Sequence, residues 1–225
     1  MAKNNARVRR HATDRFHANP RPMGAGSWNR HMERAHPRIR REWDAYVADG
    51  GGLPLIEELI DEHQGNTGEW RAGLLISKGR PATHLAQRFP DTVDALASVP
   101  GLWSALWSVL EPGTELPEHT GPNAGMLRYH LGIDCGSDAA LRVGTITTPY
   151  QDGIGILFDD TEPHEAWNHG SSPRVTLFCE ILRPIAGPAR VANQVVQRVL
   201  ALDPRYRGAP DRADSWARTS GGRPR

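Results

Sequence analysis

Histidine and arginine side chains are concentrated between His119 and Arg174, among residues with the pattern of short strands and turns. His119 and His164 each lie at the edge of a strand-like run, where loops meet the mouth of a barrel and side chains can converge. Imidazole is the commonest metal ligand in proteins, and arginine is well suited to binding carboxylates. The first hypothesis is therefore a metal site with an acidic organic partner.

Arg174 opens the otherwise apolar run that ends at Phe178. A guanidinium in such a strand is costly unless it meets an anion, and a dicarboxylate co-substrate would supply one. Two histidines do not establish a metal site by themselves, because a lone histidine is more often a surface or hydrogen-bonded residue. From the residues themselves, a metal centre and ordinary packing both stay open.

Several short runs, separated by Gly, Pro, Asp and Asn, predict the strands that must position these side chains. They are Trp70 to Ser77, Leu102 to Leu110, Met126 to Ile133, Leu141 to Ile146, Gly153 to Phe158 and Arg174 to Leu182. Short strands with turn residues between them favour an antiparallel sandwich or barrel over alternating strands and helices. The predicted fold is mainly β, with a cupin-like jelly roll (double-stranded β-helix) as its core.

Helices are predicted on both sides of this core. Apolar spacing indicates helices at His36 to Ala48 and Pro54 to His63, one at Asp91 to Val99, and one near Ala189 to Leu202. We expect a disordered tail at 1–27, the jelly-roll domain with its N-terminal helices at 28–186, and a C-terminal helix with a disordered tail at 187–225. That second tail is predicted to begin at Pro204, where Arg, Gly, Pro and Ser dominate.

Composition narrows the class of protein. The 225-residue chain has a net charge of +1, yet eleven of its 27 basic residues and two of its 26 acids lie in the first 41 positions. This head has no apolar stretch typical of an export signal, and no run approaches the roughly 20 apolar residues of a membrane span. Nucleic-acid binding is not favoured, because no aromatic residue interleaves with the first arginines. Two cysteines without a disulfide or zinc spacing fit a cytoplasmic protein.

A longer series of motifs then follows in order along the chain. It comprises Gly68-Glu69-Trp70, Phe89-Pro90-Asp91-Thr92, Ser108 with Pro112-Gly113-Thr114, His119-Thr120-Gly121-Pro122, Leu127-Arg128-Tyr129-His130-Leu131-Gly132, Phe158-Asp159-Asp160, and His164-Glu165-Ala166-Trp167 with Arg174. From Gly68 to Pro184 this series resembles the aspartyl/asparaginyl β-hydroxylases, a family of Fe(II)- and 2-oxoglutarate-dependent oxygenases with a jelly-roll core. Any one motif is weak, but their shared order is a strong signal.

The resemblance implies a role for each matching residue. His119 and His164 would be the iron ligands and the catalytic centre. Arg174 and Ser108 would hold the distal carboxylate of 2-oxoglutarate, with His130 and Arg128 near its metal-binding end and Trp70 lining the pocket. Without the resemblance, Trp70 and Ser108 would be taken for core residues. The implied reaction uses O₂ and 2-oxoglutarate, releases succinate and CO₂, and hydroxylates an amino-acid, peptide or other small-molecule substrate.

Two differences from related enzymes bear on the metal site and on the substrate. Gly121 stands where common non-haem iron oxygenases have a carboxylate ligand, a gap that is itself a trait of the family. Chloride could occupy the open position on the metal, as in halogenases, or Asp160 or Glu162 could move in as a third ligand. Hydroxylation without either change is favoured over both alternatives. Met126 and Leu106 stand where peptide-directed members have basic residues. We therefore expect a neutral or apolar substrate, such as an acyl chain.

Two other functions compete with oxygenation. A catalytically silent cupin-like protein would bind a metal or ligand without oxidising anything, but it has no reason to keep polar groups that are costly in a core. A metal-dependent isomerase or lyase on the same fold has no need of the Arg174 and Ser108 pair. Both are disfavoured by the complete set of site residues.

Overall fold

Two antiparallel sheets form the centre of the protein in the computed structural model, which describes residues 21–22, 27–60, 65–81 and 83–220. The strands are β1 Arg21–Pro22, β2 Trp70–Ser77, β3 Arg80–Pro81, β4 Leu102–Leu110, β5 Thr114–His119, β6 Met126–Asp134, β7 Ala139–Val143, β8 Ile146–Pro149, β9 Gly155–Phe158, β10 His164–Asn168 and β11 Arg174–Leu182. The larger sheet has the order β1-β9-β6-β11-β4-β2-β3 and the smaller β5-β10-β7-β8. The predicted mainly β, jelly-roll fold is confirmed.

Side-chain alternation along β11 explains how the larger sheet serves two purposes. Val175 and Leu177 lie in the main hydrophobic core together with Ile39 of the first helix. Arg174 and Thr176, one residue out of phase with them, point to the opposite face because successive strand residues alternate between faces. One face of the sheet is thus a dry core, and the other is available for polar chemistry.

The helices surround this sandwich. They are α1 Ser27–Ala48, α2 Ile56–Leu59, α3 Thr83–Ala86, α4 Pro90–Leu96, α5 Pro188–Leu200, α6 Pro204–Arg207 and α7 Ala209–Ser220. No helix in the described ranges is both long enough and apolar enough to cross a bilayer.

Helix α1 is longer than predicted. The sequence prediction began it at His36, but it starts at Ser27, and Met32 and Ala35 extend the buried face formed by Ile39 and Trp43. Pro37 lies inside the helix on its exposed side. Burial of the apolar face therefore outweighs the unfavourable proline.

Other predicted boundaries were wrong in detail. The Pro54 to His63 helix is limited to α2, with 61–64 outside the described residues. The strand predicted from Leu141 to Ile146 is a hairpin, because Gly144 takes a positive φ of 56° between β7 and β8. Strands β5 and β10 were not predicted, since their polar residues hide the alternation.

The predicted tails also need correction where they are described. Arg21–Pro22, within the predicted N-terminal tail, pairs with β9, whereas 1–20 and 23–26 lie outside the described residues. The prediction of disorder from Pro204 was wrong, because α7 packs Ala213 against the apolar side chains of α2 and Arg212 donates a hydrogen bond to the Leu59 carbonyl. Residues 221–225 are not described.

Candidate active site

The two predicted metal-binding histidines lie directly opposite each other on neighbouring strands. His119, the last residue of β5, pairs in register with His164, the first residue of β10, and their ring centroids are 4.2 Å apart. His119 is exposed, whereas His164 is buried. Strand pairing therefore brings together two imidazoles that are far apart in the sequence.

Both rings are held by the same kind of hydrogen bond. The Nδ1 atoms of His119 and His164 lie 2.8 Å from the carbonyl oxygens of Pro117 and Glu162, two residues earlier in each case. A carbonyl only accepts, so Nδ1 carries the proton and Nε2 keeps its lone pair. Burial lowers the pKa of His164 to about 4, which favours the neutral form. A neutral imidazole with one nitrogen fixed by a backbone carbonyl is the state that coordinates metals.

Arg174 lies on the larger sheet with its side chain in the same cavity and is 1% exposed. Its NH1 donates to Thr176 Oγ1 at 2.7 Å, and its guanidinium lies 4.8 Å from the centre of the Tyr150 ring. Its Nε has no hydrogen-bond partner among the described residues. Burial lowers the pKa of Arg174, and no carboxylate ion pair compensates within the described structure. Such a guanidinium is suited to receive an anion.

Ser108 and Trp70 stand beside this guanidinium. Ser108 is opposite Thr176 in the β4–β11 pairing, and Trp70 donates from its indole nitrogen to Ser108 Oγ at 3.0 Å. Both residues line the cavity. The hydroxyl accepts from the indole, so its own proton is available to a second acceptor.

His130 is buried in the same cavity. Its Nδ1 lies 2.9 Å from the Tyr150 hydroxyl, and its Nε2 has no partner among the described residues. Burial, and then the neighbouring Arg174, lower the pKa of His130 well below its usual value. A neutral ring that accepts from Tyr150 at Nδ1 carries its proton at Nε2 and can donate it to a ligand.

Arg128 lines the cavity but is engaged by two carboxylates. Its guanidinium pairs with Asp160 at 2.9 Å and with Glu180, which also accepts from Ser104. Burial opposes ionisation of Glu180, but Arg128 and Ser104 outweigh it and lower its pKa. For Asp160 burial prevails over Arg128 and raises the pKa. Arg128 therefore organises the acidic side of the cavity.

Gly121 has no room for a side chain. A Cβ at this position would collide with the buried Asp160 carboxylate, and the Gly121 amide donates to the Asp160 carbonyl at 2.6 Å. A carboxylate ligand at position 121 is therefore excluded by Asp160. Oδ1 of Asp160 has no hydrogen-bond partner in the described part of the chain.

The cavity has a volume of about 370 Å³, within the range of small-molecule sites. Apolar residues form part of its wall, among them Leu116, Phe158 and Phe178. On β4, Leu106 pairs with Phe178 on one side and Leu74 on the other, and it packs in the apolar cluster around α2 and α7. Met126 is buried at the start of β6.

All seven residues proposed from the sequence line this one cavity: Trp70, Ser108, His119, Arg128, His130, His164 and Arg174. Sequence analysis missed Thr176, Tyr150 and Glu180. The sequence could have indicated Thr176, because it lies two residues after Arg174 and so on the same face of the strand. Tyr150 and Glu180 are brought near the site by the fold, and no sequence pattern indicated them. Glu162 contributes its carbonyl, and the cavity wall does not include its side chain.

The sandwich and its cavity define a jelly-roll protein of the cupin-like type, with a polar cavity lined by residues of both sheets. The aspartyl/asparaginyl β-hydroxylase family profile matches residues 33–184. The chain belongs to the aspartyl/asparaginyl β-hydroxylase family.

Relatives of this chain include two proteins named as hydroxylases. It is 30% identical to the ornithine lipid ester-linked acyl 2-hydroxylase of Rhizobium tropici over 84% of this chain and 69% of that protein. It is 29% identical to the human aspartyl/asparaginyl beta-hydroxylase over 75% of this chain but 23% of that protein. A solved Cupin 2 conserved barrel domain protein from Salinispora arenicola has a TM-score of 0.36 and 14% identity over 64% of this chain and 94% of its own. Nothing about function follows from that last likeness.

Proposed function

We propose that this protein is an Fe(II)- and 2-oxoglutarate-dependent oxygenase that hydroxylates an unactivated C–H bond, and that its substrate is an acyl chain or another apolar group. The single observation that carries the co-substrate assignment is Arg174, a fully buried guanidinium aimed into the cavity that contains the histidine pair. Burial of a guanidinium is energetically unfavourable, and a catalytically silent binding protein would have no need to keep one.

The residues present fit the metal and the co-substrate. His119 and His164 would hold the iron through their Nε2 atoms, because each Nδ1 is bound to a carbonyl. Among the described residues, no cluster of three or more His, Cys, Asp or Glu is placed to hold a metal, so the protein would supply two ligands. Once bound, iron and 2-oxoglutarate would supply, with O₂, the oxidising power that side chains lack.

The remaining side chains would bind and orient the co-substrate. Arg174 would pair with the distal carboxylate, and Ser108 Oγ would donate a second hydrogen bond to it. His130 would donate from Nε2 nearer the metal-binding end, held in that tautomer by Tyr150. Phe158 and Phe178 would exclude water from the reacting carbon, which protects the oxidation from side reactions.

The apolar substrate is supported by the uncharged residues that continue the sheet face beside Arg174 and Ser108. Phe178 lines the cavity, and its register neighbour Leu106 lies two residues before Ser108 on β4. Neither Leu106 nor Met126 offers a charge to an acidic side chain. The acyl 2-hydroxylase named above has the same substrate chemistry.

Succinate formation tests this proposal. Purified protein with Fe(II), ascorbate, 2-oxoglutarate and air should form succinate and one equivalent of hydroxylated product when supplied with detergent-dispersed acyl lipids. Asp-containing peptides are the matched comparison. Absence of both 2-oxoglutarate binding and succinate with every substrate would refute the oxygenase, whereas tight binding and robust hydroxylation of Asp peptides would refute the apolar substrate.

A further inference from the structure

Helix α5 has its polar and apolar faces reversed relative to an ordinary surface helix. Asn193 and Gln197 are its buried residues, while Val191, Val195 and Val199 are 57%, 51% and 61% exposed. Leu200 and Leu202 are also exposed, so five of the eight exposed large apolar side chains of the described residues lie in this short stretch. A helix on a globular protein normally buries its apolar stripe.

The reversal is enforced by hydrogen bonds. Asn193 donates to the Gly125 carbonyl at 2.9 Å, and Gln197 exchanges hydrogen bonds with the Asn123 side chain at 2.7 and 3.2 Å. Gly125 leaves no space for a Cβ beneath Asn193. The helix cannot rotate its valines inward without leaving these buried amides unpaired, which is strongly unfavourable.

The position of α5 connects it to the proposed reaction. Asn123, which Gln197 binds, follows directly after Thr120, Gly121 and Pro122, and those three residues line the cavity next to the exposed His119. Helix α5 therefore packs through Gln197 against the residue that follows this cavity-lining segment, and its apolar stripe faces outward.

The charges around the stripe favour a negatively charged apolar surface. Pro188 to Leu202 contains Arg190 and Arg198, both exposed, and no acidic residue. From 188 to 210 there are four arginines and one aspartate, although the chain after the first 41 residues has a net charge of −8. Exposed apolar residues flanked by arginine are the pattern of helices that lie in the plane of an anionic membrane surface.

We infer that the Val191–Leu202 face of α5 docks the protein onto an anionic lipid surface and so presents the cavity to an acyl chain in that surface. This inference rests on the proposed function for its substrate, but lipid binding itself requires neither metal nor turnover. The valines would enter the boundary of the acyl region, and Arg190 and Arg198 would meet lipid phosphates.

Vesicle flotation of the full-length, metal-free protein tests this inference. We expect co-flotation with phosphatidylcholine vesicles containing phosphatidylglycerol and much weaker flotation with phosphatidylcholine alone. The double substitution Val195→Glu and Val199→Glu should lower the bound fraction by about tenfold or more, because two inserted side chains are replaced by charges that the anionic surface repels. Glutamate is a better helix former than valine, so the fold should survive.

Val47→Glu is the matched control, since Val47 is an exposed valine on helix α1, 48% exposed, and should not affect flotation. Arg190→Glu with Arg198→Glu should weaken flotation with anionic vesicles specifically. Equal flotation of wild type and the double valine variant would overturn the inference. So would a wild-type dimer that the valine substitutions convert to a monomer without any vesicle binding, because the stripe would then be a contact between copies.

Activity assays separate the two proposals. If docking is correct, the double valine variant should keep succinate formation with detergent-dispersed lipid and lose it with vesicles. Flotation with neither 2-oxoglutarate binding nor succinate in any format would refute the oxygenase and leave docking standing. Succinate formation from dispersed lipid without flotation would overturn docking and leave the oxygenase standing.

Discussion

At the scale of single residues, Arg174 is the clearest example of a side chain kept at a cost. It is buried without a carboxylate partner in the described structure, and burial lowers its pKa. Replacement of even a buried ion pair by apolar residues of similar volume is often neutral or stabilising by about 1 to 4 kcal/mol, and Arg174 has no carboxylate in the described structure to offset its burial. The stability of the ligand-free protein and its affinity for 2-oxoglutarate should therefore change in opposite directions.

We predict that Arg174→Met leaves the free energy of unfolding of the ligand-free protein unchanged or raises it by about 1 kcal/mol. The same substitution should raise the Kd for 2-oxoglutarate by about tenfold or more, the effect of removing a charged hydrogen-bond partner. Denaturant unfolding and calorimetric titration measure the two quantities. Arg142→Met, at a cation paired with Glu165 outside the cavity, should leave the Kd as in wild type; unchanged affinity in Arg174→Met would contradict the assignment.

Gly121 supports a second residue-scale prediction, because the buried Asp160 carboxylate occupies the space of any side chain there. Gly121→Asp should not simply supply a third ligand but should displace Asp160 from Arg128. We expect a loss of about 2 kcal/mol or more in the free energy of unfolding, as for other overpacked buried sites. The double variant Gly121→Asp, Asp160→Gly should recover most of this loss in thermal melts. No recovery would show that the clash lies elsewhere.

At the scale of elements, the turn between β10 and β11 sets the positions of His164 and Arg174 relative to each other. Asn168, the buried last residue of β10, donates to the carbonyls of Leu110 and Ser172 at 2.8 and 2.9 Å. The bond to Leu110 ties the small sheet to the end of strand β4 in the large sheet. Nothing in the residue type or its neighbours marks Asn168 as important.

We predict that Asn168→Ala lowers the free energy of unfolding by about 2 kcal/mol, because the buried Leu110 carbonyl and the part-buried Ser172 carbonyl lose their donor. Urea unfolding would measure this loss. His169→Ala is the neighbouring control. His169 is exposed and pairs with the exposed Glu115, so its removal should cost about 0.5 kcal/mol or less. Equal effects at 168 and 169 would show that the turn is not held as described.

Helix α7 lies where the sequence predicted a disordered tail, and it stabilises the sheet edge near β2. Ala213→Glu should lower the melting temperature by several degrees, since it buries a charge against Ile56 and Leu59. Ser215→Glu on the exposed side of the same helix should have little effect. Matching melting curves for the two variants would place α7 away from the sheet.

At the scale of the whole molecule, both cysteines are closed off from solvent by the sandwich. Cys135 and Cys179 are buried, and burial raises the pKa of both thiols, that of Cys135 to about 12. At pH 8 both should remain protonated, and the thiolate is the reactive form. A thiol reagent such as dithionitrobenzoate should therefore label the folded protein negligibly within minutes and label two thiols per chain in guanidinium. Rapid labelling of the folded protein would contradict this packing.

The local sequence determined the elements whose physics is local. The apolar runs of β2, β4 and β11 were predicted with their observed bounds, because a largely buried strand appears in the sequence as a short apolar run between turn residues. The order of the motifs also identified the family and seven residues that all line the cavity. Polar strands β5 and β10 and helix α7 gave no such signal, because long-range pairing and packing stabilise them.

Tertiary structure decided what depends on partners distant in the chain. The residue types of His119 and His164 were visible in the sequence, but their pairing across β5 and β10 depends on strand register. The proton on each Nδ1 depends on the backbone carbonyl two residues earlier. The ion pairs of Arg128 with Asp160 and Glu180 likewise depend on the fold, and the sequence did not indicate them. Sequence determines which chemical groups are present. Folding decides which atoms meet and which of them are removed from water, and those two factors set their charge, tautomer and binding capacity.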